Sequence, residues 1–270
     1  LNFNSNYRVL ELGNPLNTAR TSYLHKSIGG YSAVKVKRTQ EMIDRYFQSN
    51  YSILTSALNS GNISNMQNMH FFNMLHTKYI ILDLNASGVV GKPSQKAEEK
   101  PGVLPNPFAL GNAWTVNNVK WVNNADEEIA TFEEPDFNPK NTAVIDVRYK
   151  DLVDESLNLS KGNLNLLEYR PNYLKYASNS TGDALTVFSE IFYDKGWKAF
   201  INGKEVPHFR VNYILRGLVI PSGENEIEFK FDLPIYNQAS LISTISSSII
   251  ILLFLLFILF KILDKEFPVI

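Results

Sequence analysis

The chain has 270 residues and is close to neutral, with 26 basic against 27 acidic side chains, so it lacks the basic surplus expected of a nucleic-acid binder. It contains no cysteine, which excludes a disulfide framework, a thiolate zinc site and thiol catalysis. Its 13 Tyr and 17 Phe suit a β-rich body.

Residues 1–8 (LNFNSNYR) carry neither the basic start nor the apolar run of an export signal. A body outside the cytoplasm would therefore need a segment upstream to send it there, making this chain the C-terminal part of a longer protein. The other possibility is a tail-anchored body in the cytoplasm. Residues 7–12 alternate as a short strand and are closed by Gly13-Asn14-Pro15. After Gly29-Gly30, apolar residues recur at helical spacing across 32–58, with Asp44 and Arg45 between apolar positions. Ser64 is placed to cap a second helix with Met66, Met69, Phe72 and Leu75 on its inner face. Residues 78–84 (KYIILDL) read as a strand. Residues 85–102, rich in Gly, Pro, Ser and charge, read as an exposed loop. A strand is expected over 114–122, then a short helix opened by Asp126, Glu127 and Glu128, whose charges suit a helix N-terminus.

From about residue 141 the pattern turns to β. Alternating runs fall at 144–147, 164–169, 173–177 and 185–193, and Asn202-Gly203 between 199–201 and 204–206 is a strong hairpin signal. His208, Arg210 and Asn212 alternate with Phe209, Val211 and Tyr213, which predicts a polar face and a buried one. Residues 218–220, the turn 221–223 and the alternation of Ile227, Phe229 and Phe231 with Glu226, Glu228 and Lys230 complete an antiparallel sandwich. Pro234 is expected to separate it from the tail.

The tail runs 22 residues, 239–260, without a charge. At about 1.5 Å per residue that is roughly 33 Å of helix, enough for a bilayer core of about 30 Å. Lys261 and Lys265 follow the span and only Lys230 lies within twenty residues before it, a bias that puts the body outside. Ser240, Ser243, Thr244, Ser246, Ser247 and Ser248 fill its first half, as in helices packed among other helices. The fold class is therefore α+β: an α/β region over 1–138, a jelly-roll-like antiparallel sandwich over 139–235, a transmembrane helix over 239–263 and a short cytoplasmic tail, 264–270.

Most enzyme signatures are absent. His70 and His76 are six apart, off the spacing of a zinc helix, and Gly88 and Gly91 before Lys92 are too close for a phosphate loop. No catalytic residue, metal ligand or cofactor is assigned. The surface to mark is in the sandwich, where Tyr193 and Trp197 precede the hairpin and His208, Arg210 and Arg216 follow it. Aromatic faces beside Arg and His could stack on a sugar ring, bond its hydroxyls or hold a phosphate. Against that stands the plainer reading that Trp197 is core and the others form a solvated strand face.

Several stretches in order resemble the extracytoplasmic region of YfhO-family bacterial membrane proteins. They are SIGGY at 27–31, RTQEMID at 38–44, NML at 73–75 with KYII at 78–81, Asn106-Pro107 with ALGNAW at 109–114, GWKAFINGK at 196–204, Asn212-Tyr213, Arg216, and PSG at 221–223. Thr39 departs from the aromatic more usual there. The resemblance implies a large polytopic protein of the bacterial cytoplasmic (inner) membrane, with residues 1–235 extracytoplasmic. It is similar to membrane glycosyltransferases that use polyprenyl-phosphate sugars to decorate cell-surface polymers. The catalytic acid of such enzymes is expected in an early loop that this chain lacks. Upstream transmembrane helices of the same protein, and a glycan or lipid-linked sugar, are the implied partners; nucleic acid is not. A non-catalytic glycan-binding module or a membrane-anchored scaffold are the alternatives.

Overall fold

The computed structural model describes residues 6–13, 15–17, 19–30, 34–82, 102–153 and 159–266. Most of the expected 85–102 loop, including Gly88 to Lys92, and the last four residues of the tail lie outside them.

The first part is built on a three-stranded sheet: β1 (Arg8–Glu11) runs parallel to β2 (Thr77–Leu82), which pairs antiparallel with β3 (Gly102–Pro105). Between β1 and β2 lie α1 (Arg20–Leu24) and a longer helical stretch in three pieces. These are α2 (Lys37–Met42), one π-helical turn (Ile43–Phe47) and α3 (Gln48–Ser60). The wider π turn lets Met42, Ile43, Tyr46 and Phe47 all face inward, while Asp44 and Arg45 stay outside. The second helix expected here is shorter than the pattern implied. Residues Ile63–Asn68 form a 3-10 turn and only α4 (His70–Met74) is α-helical. Ser64 lies inside the 3-10 turn and caps nothing, yet Met66, Met69 and Phe72 are fully buried as their spacing required.

The strand expected over 114–122 is two strands that part at Asn117. β4 (Ala113–Val116) and β5 (Asn118–Val122) go to different sheets. α5 (Ala125–Ala130) follows, capped by Asn124, whose side chain accepts from the Glu127 N–H while Glu127 accepts from the Asn123 N–H. β6 (Thr142–Asp146) then runs parallel to β5, not antiparallel within the sandwich as its position in the β-rich stretch suggested.

The sandwich consists of two antiparallel sheets. β7 (Gly162–Arg170), β8 (Tyr173–Ser180), β10 (Trp197–Ile201), β11 (Lys204–Val206) and β14 (Gly223–Phe231) form one, in the order β11-β10-β14-β8-β7. β9 (Ala184–Ile191), β12 (Phe209–Val211) and β13 (Leu215–Ile220) join β4 in the other, in the order β12-β13-β9-β4. Asn202 and Gly203 take the left-handed conformation, with φ of 49° and 79°, that a tight two-residue hairpin requires.

Leu174, Tyr176, Ile227 and Phe229 of the five-stranded sheet meet Phe188, Leu218 and Ile220 of the four-stranded sheet in one apolar layer. The other face of the four-stranded sheet (Leu185, Val187, Val211, Leu215) packs on β5, β6 and the helices, in the core that also holds Leu10, Met42 and Phe72. The four-stranded sheet is thus buried on both sides. That corrects the expectation of a solvated face: Arg210 and Asn212 are buried along with Phe209 and Val211.

With two residues between it and β14, α6 (Pro234–Glu266) begins. Pro234 opens the helix instead of separating it, because the first helical turn has no use for the N–H that proline lacks. The helix continues past 263 into the residues expected to be tail, and its Gln238–Ile262 portion is long and apolar enough to cross a membrane.

Candidate functional site

A cleft opens where the C-terminal end of β9 faces the start of the long helical stretch. Its volume is about 380 Å³, and Arg38, Thr39, Phe192, Tyr193, Arg210 and Tyr213 are among its walls. A cleft of this size suits a small ligand or one sugar unit.

Its floor is set by an unusual turn between β12 and β13. Asn212 and Tyr213 are both left-handed, with φ of 50° and 68°. Non-glycine residues hold that conformation only when surrounding contacts impose it. Asn212 supplies them: its N–H donates to the Val144 carbonyl at 2.9 Å, and its side-chain oxygen accepts from the Val144 N–H at 2.9 Å. The turn lays the Tyr213 ring under the Arg38 guanidinium, 4.4 Å from the ring centroid. The Tyr213 hydroxyl donates to Glu41 at 2.5 Å. Burial, then that bond, raises the phenol to about 12, so Tyr213 stays protonated and acts as a fixed donor, not a base.

Beneath the turn is Glu128, fully buried. Its Oε2 accepts from Arg38 at 3.1 Å and Arg210 at 3.2 Å, and its Oε1 from the Tyr213 N–H at 2.9 Å. Arg210 also lies 4.0 Å from Asp146, which Arg148 holds at 2.8 Å. Burial pushes the Asp146 carboxyl up, but the bonds from Arg148 and the nearby Arg210 charge outweigh it and leave the pKa below normal. Three guanidinium groups and two carboxylates thus alternate across the seam between helix and sandwich. Glu128, read in the sequence as part of a helix-opening cluster, is the hub of this array, while Glu127 does the capping.

The five residues marked in the sequence divide between two places. Tyr193, 40% exposed, stands at the rim of the cleft, and Arg210 lies at its base. Trp197, His208 and Arg216 meet inside the sandwich around Phe229. The Arg216 guanidinium lies 4.0 Å from the Trp197 ring centroid and 5.3 Å from that of Phe229, and the His208 ring is 5.8 Å from Phe229. Phe192 separates the two groups, lining the cleft and meeting the His208 ring at 5.4 Å. Burial, then the Arg216 charge, lowers His208 to about 4, so the imidazole is neutral at pH 7. Arg38 and Tyr213 complete the cleft and were not marked as site residues. Their only signal was membership in the RTQEMID and Asn212-Tyr213 stretches. Among the described residues, no three of His, Asp or Glu are grouped as metal ligands.

The cleft offers the exposed Tyr193 ring and the partly exposed Arg38 guanidinium, while the Tyr213 phenol, its proton engaged by Glu41, can only accept. Such a set can stack on a polar ring and donate to its hydroxyls. Among the described residues lining it, no nucleophile is paired with a base.

No curated protein and no solved structure gives a significant match to the chain. The family described as bacterial membrane protein YfhO matches residues 110–243. The match takes in β4, the α5 hub, the Asn212-Tyr213 turn and both sandwich sheets, and it ends inside the membrane-length helix. The match thus runs from the sandwich into the first ten residues of α6, and the chain belongs to the YfhO family of bacterial membrane proteins.

Proposed function

We propose that this chain is the C-terminal extracytoplasmic portion of a polytopic membrane glycosyltransferase-like protein. The whole protein would transfer sugar from a polyprenyl-phosphate donor to a cell-surface glycopolymer, its catalytic groups lying upstream. The observation that carries the reading is the YfhO match running from sandwich into membrane-length helix, with a sugar-sized cleft lined mostly by matched residues and completed by Val36, Arg38 and Thr39 from outside the match. In this account the cleft at Tyr193, Arg38 and Tyr213 holds the acceptor glycan near the membrane. The serine-rich first half of α6 packs on the protein's other helices, and the body faces the outside of the inner membrane. Two hydroxyls of that stripe, Thr244 and Ser248, bond the carbonyls of Ser240 and Thr244 at 2.9 and 2.8 Å. They therefore enter such packing without unpaired donors.

A second reading, glycan binding without transfer, draws on the same cleft and on its lack of a nucleophile–base pair. Both readings require the chain to bind glycan, and this is tested by titrating the purified chain in neutral detergent with oligosaccharides released from the cell-surface polymer. Saturable binding that weakens in Tyr193→Ala supports the assignment of the cleft. Absence of binding, or binding indifferent to Tyr193→Ala, contradicts it.

A further inference from the structure

A second polar cluster surrounds Arg216 and takes no part in the cleft. Along β9 and β13, Arg216 pairs with Phe188 and Leu215 with Ile191, so Ser189 and Glu190 have no residue opposite. Such bulges redirect side chains. Here the Ser189 hydroxyl is tied to the carbonyls of Met74 and Gly111 at 2.8 and 2.5 Å. Glu190 turns toward Arg8, 3.3 Å away. Arg8 also donates to the carbonyls of Leu75 and Ser189 at 3.0 and 2.7 Å, so its role is to join β1 to the sandwich. Beside β1, the Lys26 ammonium sits 3.1 Å from the Tyr169 ring centroid. Arg8 engages the Glu190 carboxylate directly, and the Lys26 and Arg216 cations lie within electrostatic reach of the same group.

Two groups at the floor of this cluster are left without partners. Arg216 is 3% exposed and its Nη1 bonds nothing, although its Nε donates to the Ile191 carbonyl at 3.1 Å. Tyr176 is 1% exposed and its hydroxyl bonds nothing. Buried polar groups are ordinarily satisfied, and an unmet donor on a charged group is the costliest exception. The two meet at the Phe229 ring, whose centroid lies 5.3 Å from the Arg216 guanidinium and 6.4 Å from the centroid of the Tyr176 ring. Desolvation lowers Arg216 to about 10 and Lys26 to about 8, as expected for cations short of both water and counter-charge. The free groups are alike in kind: guanidinium, ammonium and phenol can all donate. Three groups able to donate, two of them cationic, match a ligand that only accepts.

The cluster lies at the end of the sandwich that leads into the membrane helix. Trp197, under Arg216, pairs with Phe231, three residues before Pro234. By chain path Phe231 is no more than about 17 Å from Gln238, where the apolar span begins.

We propose that Arg216, Tyr176 and Lys26 form an oxyanion site at this end of the sandwich, taking one phosphate or carboxylate group. Arg216 Nη1 and the Tyr176 hydroxyl donate from the floor, and Lys26 closes the rim. The ligand is either a soluble anion or the phosphate of a lipid headgroup. The site does not depend on the chain taking part in sugar transfer.

The test uses the full chain in nanodiscs. In phosphatidylcholine discs, inorganic phosphate and acetate are titrated by calorimetry. In a second set, thermal stability is compared with and without phosphatidylglycerol. Lys26→Gln and Tyr176→Phe are carried through both. Tyr176→Phe removes only the orphan hydroxyl, so it should leave the melting temperature of the anion-free chain unchanged or higher while weakening anion binding about tenfold. Saturable phosphate or acetate binding, weakened in both variants, supports the site and identifies a soluble ligand. Stabilisation confined to phosphatidylglycerol discs and lost in both variants supports it and identifies a lipid headgroup. Absence of an effect in both sets, or effects that both variants leave intact, overturns the proposal.

Discussion

Arg210 and Glu128 are 82 residues apart in sequence and 3.2 Å apart in space. One lies on the edge strand of the sandwich and the other on a helix of the first region, and neither touches bulk water to any extent. This contact, repeated by Arg38 from the opposite side, fastens the sandwich to the α/β part and fixes the floor of the cleft.

Removing the Glu128 charge should therefore cost far more than a surface ion pair. Glu128→Gln leaves the buried Arg210 and the partly exposed Arg38 without their shared carboxylate, and the expected loss is about 3 kcal/mol. Denaturant unfolding of the chain in detergent, followed by tryptophan fluorescence, measures it. Lys175→Ala, which breaks the sheet-surface pair with Glu226, should change stability by about 1 kcal/mol or less in the same assay.

Arg216 gives the opposite expectation. Its guanidinium is stacked on Trp197 but lacks full hydrogen bonding, so a flexible apolar side chain of similar length can replace it. Arg216→Met should change stability by about 1 kcal/mol or less, in either direction, whereas Arg216→Ala leaves a cavity and should lose about 2–4 kcal/mol. A melting series of the two variants checks both.

Burial lowers both His76 and His208 to about 4, against an ordinary value of 6.5. Above pH 6.5 both are neutral whether the chain is folded or not, and they exert no pH dependence. Between about 6.5 and 4 the unfolded chain binds protons that the folded chain refuses, so stability falls as pH falls. Each histidine contributes at most about 1.4 kcal/mol per pH unit in that window. Melting temperature measured from pH 7.5 to 4.5 should decline below about 6.5, and less steeply in His208→Phe.

The proposed orientation can be read chemically because the chain has no cysteine. A single cysteine replacing Ser222, in the exposed turn before β14, should react in intact cells with a membrane-impermeant maleimide. Protection until the cells are permeabilised would place the body in the cytoplasm.

The elements that were legible in the sequence are those whose signal is local. Period-2 alternation marked β7, β8 and β14, the Asn202-Gly203 pair marked its hairpin, and an uncharged run marked the membrane helix. What escaped depends on partners far away in the chain. Asn117 divides one apparent strand because β4 pairs with β9 while β5 pairs with β6, and nothing between 114 and 122 records that choice. The alternation at 208–213 was real, but its polar positions meet Glu128, Asp146 and the sandwich interior instead of water. The same cause split the candidate site. Residue types identified Arg210, Arg216 and Trp197 as notable, but a two-residue bulge and a left-handed turn decide which of them face the cleft.

The central claim is that the intact protein adds sugar to a cell-surface polymer and that this chain alone does not. The direct measurement is the surface-glycan composition of a strain lacking the full-length gene, complemented with the intact protein, with the intact protein carrying Tyr193→Ala, or with this chain only. The account predicts that one sugar disappears on deletion and returns with the intact protein. It predicts partial return with the cleft variant and none with the chain alone. An unchanged surface in every strain, or full restoration by the chain alone, would contradict it.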